Sequence, residues 1–292
     1  MEAAAPRRGR GRDGGERARL PGPADAGDDT GDGTAPDAVL DCLRALPVER
    51  LVGGAGYYWS PATGTPTLPR RPSDIVLNRD ARPGMPVLAG TTRDEGTLFT
   101  SAFFDRAGGP LTDAGFDALL AAASGARAAE AGPLYRADGR SPGRSWSDVI
   151  TDRAYACPGL VTYRALADRG PLYVYELAVP DAPSPFVALP PDLAGGSAHG
   201  AEMPYLFDLV PADPELPDDQ RALADELVAR WARFATTGDP NGAAADAPTT
   251  RWPAWSGEGS VLTIGGPGPA TTVRPGPEFA TAHRCGLWGV RS

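Results

Sequence analysis

The chain holds only two histidines, His199 and His283, so any chemistry that needs an imidazole rests on one of them. His199 lies in Ala194-Gly195-Gly196-Ser197-Ala198-His199-Gly200-Ala201-Glu202, where small neighbours leave the ring unobstructed, as proton transfer requires. The same run also fits an exposed loop histidine with no task. With Glu202 alone, His199 cannot hold a metal, because no third ligand stands at a sensible spacing. Glu95 is the second candidate. The apolar run Met85-Pro86-Val87-Leu88-Ala89-Gly90-Thr91-Thr92 leads straight into Arg93-Asp94-Glu95-Gly96, and open α/β sheets place their sites at the carboxyl ends of strands. A carboxylate there can orient a distant histidine; it can equally be an acid favoured by a helix N-terminus.

These groups need a scaffold, and the pattern of the chain describes one. Residues 1–36 contain a single large aliphatic, Leu20, and no aromatic, so burial cannot offset their ordering entropy and disorder is expected. From Asp37 the spacing of Val39, Leu40, Leu43 and Leu46 predicts a helix capped by Asp37 and interrupted at Pro47. Strands are expected at 85–92, 172–179 and 261–264, and helices at about 112–124 and 147–168. The clearest helix is ALADELVARWARFATTGD: Leu223, Leu227, Val228, Trp231 and Phe234 form one apolar face, Asp218 or Asp219 can cap it, and Gly238 ends it. Strands alternating with helices predict an α/β class with a parallel or mixed sheet.

Composition narrows the function classes. There are 37 acidic and 28 basic residues, for a formal net charge of −9, and every basic residue is Arg. Those of the globular part are scattered, which argues against a nucleic-acid partner. The longest apolar run, Ala118 to Ala123, has six residues, against roughly 18 for a bilayer span. No membrane partner is expected. Arg7-Arg8 lacks the hydrophobic stretch of an export signal, so the cytoplasm is the default location.

TTRDEGTLF and AGGSAHGAEMPYLF, in that order, resemble the type-B carboxylesterase family, the cholinesterase and para-nitrobenzyl-esterase group of α/β-hydrolases. The resemblance extends to DAVLDCLRALPVERLV, SDVITDRAYACPGL, ARWARFATTGDPNG with Trp252-Pro253-Ala254-Trp255, and the terminal AHRCGLW. It covers about residues 37–288, the C-terminal half of a complete member. It implies an α/β-hydrolase fold whose first strands and nucleophile elbow are absent from this chain, no cofactor, and a catalytic triad in which Glu95 is the acid and His199 the base. It also implies that Leu98 and Phe99 line the substrate pocket. Leu98, aliphatic where cholinesterases carry aromatics, points to a broad or hydrophobic ester rather than a choline ester. Cys157 and Cys285 fall where some members form a disulfide, two buried thiols being the alternative. The resemblance is to a family whose members are often secreted.

The nucleophile is the missing part. The serines that precede Glu95 are Ser60 and Ser73, and neither has the flanking glycines of a G-x-S-x-G elbow. Gly139-Arg140-Ser141-Pro142-Gly143 matches that pattern formally but follows Glu95, and Pro142 has no N–H for an oxyanion; it reads as a surface loop. Cys42 reads as a buried packing cysteine. Near the base, Glu202 and Tyr205 are either supports of the triad or a salt-bridged acid and a core aromatic. The expected function is therefore the C-terminal half of a serine carboxylic-ester hydrolase, inactive alone, whose substrate is a small carboxylic ester once an N-terminal half completes it. The alternative is a non-catalytic interaction module. An incomplete sheet would also favour self-association.

Overall fold

The computed structural model describes residues 35–52, 61–78, 80, 83–106, 108–136, 139–208, 216–242, 250–266 and 270–290. The expectation of disorder for 1–36 falls almost wholly outside them, as does Ser60. Two compact units are present, Met1–Pro61 and Ala62–Ser292. In the first, α1 (Ala35–Ala45) and α2 (Val48–Val52) are separated at Pro47. Because α1 starts at Ala35, Asp37 belongs to its first turn and is not its cap. Cys42 is exposed rather than packed, and so is Leu40.

The second unit is built on a mixed sheet of order β1-β2-β3-β4. Strands β1 (Val87–Thr92), β2 (Leu172–Leu177) and β3 (Ser260–Ile264) run parallel; β4 (Thr271–Pro275), which the sequence pattern does not announce, returns antiparallel to β3. Alternation along β2 feeds both faces. Leu172 and Val174 pack with Leu160, Val261 and Phe279, whereas Tyr173 and Leu177 pack with Leu227, Trp252 and Leu262. Near-continuous burial of β2 is what a strand covered on both sides requires. Among the described residues β1 pairs on one side only.

Before β1 comes α3 (Pro72–Leu77), and after it α4 (Gly96–Thr100) runs into a π-helical turn, Ser101–Asp105. Then follow α5 (Asp113–Ser124), α6 (Ala128–Tyr135), α7 (Pro142–Ile150) and α8 (Cys157–Leu166), with a second π-helical turn, Thr151–Ala156, joining the last two. The helix expected from 147 thus starts earlier. The reason corrects the surface-loop reading of 139–143: Ser141 accepts the Arg144 N–H at 3.1 Å as an N-cap, and Pro142 opens the first turn, where a missing N–H costs nothing.

Beyond β2 lie α9 (Met203–Leu206), α10 (Asp218–Thr237) and, after β4, α11 (Gly276–Ala282). Neither Asp218 nor Asp219 is the N-cap of α10; that position is Pro217, and Asp218 instead accepts from Arg221 at 2.9 Å. Leu223 and Leu227 are buried, but Val228 is 46% exposed and lies off the packed face. Gly238 ends the helix at φ +78, and a Cβ there would meet Pro86 at 2.8 Å. Asn241, just past that turn, binds both the N–H and the carbonyl of Trp252 at 2.7 and 2.9 Å, and the Trp252 indole donates to Val174 at 3.0 Å. This is the physical content of the GDPN and Trp-Pro-Ala-Trp motifs. No helix among the described residues is long and apolar enough to cross a membrane.

Two devices fasten the sheet. A disulfide joins Cys157 at the start of α8 to Cys285 beyond α11. Beside it, buried Glu176 of β2 receives His283 Nε2 at 2.6 Å, Arg274 of β4 at 2.6 Å and Arg93 at the end of β1 at 2.8 Å. His283 Nδ1 meets Asp152 at 2.8 Å, and Asp152 also accepts from Tyr135 at 2.8 Å and Arg284 at 3.2 Å. Burial opposes charge on both central groups. The facing partners prevail: Glu176 is held down at about 2 by His283, Arg274 and Arg93, and His283 is pushed up to about 9 by Asp152 and Glu176.

Because His283 gains protons on folding, its contribution is full below 6.5 and is lost as the pH rises through about 9; that of Glu176 holds above 4.5 and is lost as the pH falls through about 2. The urea midpoint is expected to decline between about pH 6.5 and 9, and His283→Gln to flatten that decline. Replacing Cys157 by Ala should cost about 2–5 kcal/mol, read from urea unfolding with and without reductant.

Candidate active site

Parallel pairing of β1 and β2 delivers their carboxyl ends to one side of the sheet. The turn after β1 carries Glu95; the long excursion after β2 carries His199. They meet. His199 Nδ1 lies 2.5 Å from Glu95 Oε2, within hydrogen-bond reach. The other carboxylate oxygen, Oε1, accepts the backbone N–H of Thr92 at 2.9 Å, and the Gly96 N–H that follows is taken by Thr151 Oγ1 at 3.0 Å. Glu95 is thereby buried and fixed, with both oxygens engaged. It stands at the head of α4, as the helix-terminus reading also expects, but its side chain makes no cap hydrogen bond there.

With Nδ1 committed to Glu95, the lone pair of Nε2 is the free basic position of the ring. No described residue hydrogen-bonds it, and the imidazole is 40% exposed. The hydrogen bond to Glu95 raises the His199 pKa above 6.5; burial opposes this, and the negative charges of Glu95 and Glu202 add to it. Glu202 is not the salt-bridged acid that its type suggested. Its Oε2 is buried without a hydrogen-bond partner, no described cation pairs with it, and burial, with Glu95 nearby, raises its pKa. Tyr205 is a core aromatic whose hydroxyl donates to Gln220 at 2.8 Å.

Phe99, one turn beyond Glu95 on α4, faces His199 with ring centroids 5.0 Å apart. Tyr155, which the sequence reading passed over, lies 5.6 Å from His199 and stacks on Phe99 at 5.7 Å; Phe103, 6.3 Å from Phe99, continues the aromatic surface and is 54% exposed. Leu98 is half-buried and takes no part in these ring contacts. Cavities of about 830 and 570 Å³ lie elsewhere, and neither has Glu95, His199, Leu98 or Phe99 in its wall. Ser141 is engaged as a helix cap and donates to Asp192 at 3.3 Å. His283 lies in the ion network of the sheet. No group of three or more His, Cys, Asp or Glu that could hold a metal occurs among the described residues.

A buried glutamate thus meets a half-exposed histidine where two parallel strands end. Comparison with known proteins identifies the fold and family around them. The chain is similar to a thermophilic para-nitrobenzyl esterase structure at 23% identity and a TM-score of 0.61, covering 85% of this chain and 50% of that one. Similarity to the Geobacillus stearothermophilus carboxylesterase EST55 is at 24% identity and 0.63, covering 84% and 49%. In sequence it is 27% identical to the para-nitrobenzyl esterase of Bacillus subtilis over 76% of this chain and 45% of that protein. It is 30% identical to carboxylesterase patB of Aspergillus clavatus over 85% and 42%. A profile of the carboxylesterase family matches residues 29–278, and the chain belongs to that family. It spans about half the length of the relatives it matches.

With two histidines in the chain, imidazole nuclear magnetic resonance reads each one separately. The His199 titration midpoint is expected above 6.5 in the native chain and to fall when Glu95→Gln removes the charged partner; an unchanged midpoint would mean that the contact is not made in solution.

Proposed function

We propose that this chain is the acid–base half of a serine carboxylic-ester hydrolase, acting on a carboxylic ester when an N-terminal half supplies the nucleophilic serine and the oxyanion hole, and without turnover alone. One observation carries the reading: the 2.5 Å contact of Glu95 with Nδ1 of His199, with Nε2 left open. In the completed enzyme Nε2 takes the proton of the serine hydroxyl as its oxygen attacks the ester carbonyl, and Glu95 stabilises the imidazolium that results. The tetrahedral intermediate expels the alcohol, which receives that proton from Nε2. Water then deprotonated by the same nitrogen attacks the acyl-serine, releasing the acid and restoring the enzyme.

The surface made by Phe99, Tyr155 and Phe103 suits an apolar acyl or alkyl group. Leu98 offers no π-face to a quaternary ammonium, so a hydrophobic ester is favoured over a choline ester. The side of β1 that pairs with no strand among the described residues is where the remaining strands of the sheet would add; without them the same edge supports self-association. An interaction module has no need of an oriented acid–base pair, which is why we place that reading second.

Hydrolysis of para-nitrophenyl acetate tests the proposal. The purified chain is expected to show no turnover, and the chain co-produced with a carboxylesterase N-terminal half bearing the G-x-S-x-G segment to gain it. His199→Ala should then cost on the order of 10⁶ in kcat and Glu95→Gln about 10⁴. Turnover by the chain alone that disappears in Ser141→Ala would overturn the assignment.

A further inference from the structure

We propose that Asp94 and Arg144 are positioning residues for His199, a latch that holds the loop carrying the imidazole against the turn carrying Glu95. The proposal rests on the acid–base reading of that pair and identifies what keeps its two members in register.

The loop has few side chains by which to anchor itself. Its residues from Ala194 to Gly200, His199 and Ser197 apart, are alanine and glycine, which offer almost no side-chain surface to bury and lose the most backbone freedom when fixed. Anchoring therefore falls on backbone groups: Gly196 donates its N–H to the Pro180 carbonyl and accepts the Ala182 N–H at 3.2 Å, and Asp94 takes those of Ser197. The Asp94 N–H donates to the Ser197 carbonyl at 2.9 Å, and Asp94 Oδ2 accepts the Ser197 N–H at 2.9 Å. One residue thus satisfies both backbone polar groups of Ser197, and an isolated parallel bridge forms between Asp94 and Ala198. Gly196, at φ +78, lies so close that a Cβ would overlap the Asp94 carboxylate. Only glycine admits this approach.

Arg144 of α7 completes the latch. It pairs with Asp94 Oδ1, supplying a counter-charge in a turn that already holds Glu95, and its Nη1 reaches the Gly195 carbonyl at 3.5 Å. The Asp94 side chain is only 10% exposed and that of Arg144 21%, so neither is a freely solvated charge. On the other side, Ser197 Oγ donates to the Val179 carbonyl at 2.9 Å. His199 sits two residues past this clamped point, and Glu95 one residue past Asp94. The register of the pair is therefore set by bonds made immediately beside it. Such bonds matter for function because a proton-transfer partner displaced by an ångström loses much of its effect.

The test uses the full chain labelled with ¹⁵N-histidine, with His283 as an internal reporter of the fold. In Arg144→Met and in Asp94→Asn, the His199 midpoint is expected to fall toward the 6.5 of a free imidazole and its hydrogen-bonded Nδ1–H signal to be lost, while the His283 signature persists; Arg144→Lys should restore both. An unaltered His199 in Arg144→Met, with His283 intact, would overturn the proposal. If Asp94→Asn unfolds the chain, seen as loss of the His283 signature, Arg144→Met decides alone. A latch effect on His199 without any ester turnover in the completed enzyme would keep this proposal and remove the esterase reading; turnover with an indifferent Arg144→Met would do the reverse.

Discussion

A carboxylate and an imidazole 104 residues apart in the chain stand 2.5 Å from each other, and the parallel pairing of β1 with β2 is what allows it. Two parallel strands send their following segments off the same edge of the sheet, so a turn after one and an excursion after the other share a neighbourhood without either crossing the core. Antiparallel pairing would have put the two groups at opposite ends. The burial of β2 on both faces, the helices packed on each side and the closure of β3 by β4 all serve to keep that pair of strand ends in place.

The charged cluster around Glu176 ties this framework to the site more directly than the apolar core does. Arg93 lies between the last residue of β1 and the Asp94-Glu95 pair, and its guanidinium is held by Glu176 on the neighbouring strand. His283 and Arg274 bring α11 and β4 to the same carboxylate. Buried charges of this kind are costly to assemble and costlier to leave unmatched. Each member is therefore compelled into one geometry, which an apolar contact would not enforce. The disulfide at Cys285 ties the segment that follows His283 to the start of α8.

Much of this was legible in the chain itself. The apolar run ending at Thr92, the spacing of Leu223 and Leu227 and the terminating Gly238 specify local structure through period and backbone preference, and the elements stand close to where those signals put them. The failures have separate physical causes. β4 carries Thr271, Thr272 and Arg274; buried Thr271 hydrogen-bonds Glu226 and Arg274 pairs with Glu176, while the apolar Val273 is exposed, so no apolar period marks it. Pro142 looked like a loop signal, whereas at the first turn of a helix it is a favoured residue. Val228 fitted the helical period but lies at the margin of the packed stripe, a boundary set by the neighbouring element and invisible in the helix alone.

The sequence by itself determined which residues could act: two histidines, an acid after a strand, a loop too small to obstruct a ring, and a set of motifs in the order of one family. Those are properties of residue type and near neighbours, and they survive without coordinates. Tertiary structure alone decided that Glu95 reaches Nδ1 and leaves Nε2 open, that Tyr155 joins Phe99 beside the imidazole, that Glu202 has no counter-ion among the described residues, and that Asp94 and Arg144 clamp the loop. Each of these depends on bringing together segments distant in the chain, where a few tenths of an ångström separate a hydrogen bond from a mere proximity, and spacing along a sequence carries no such distance.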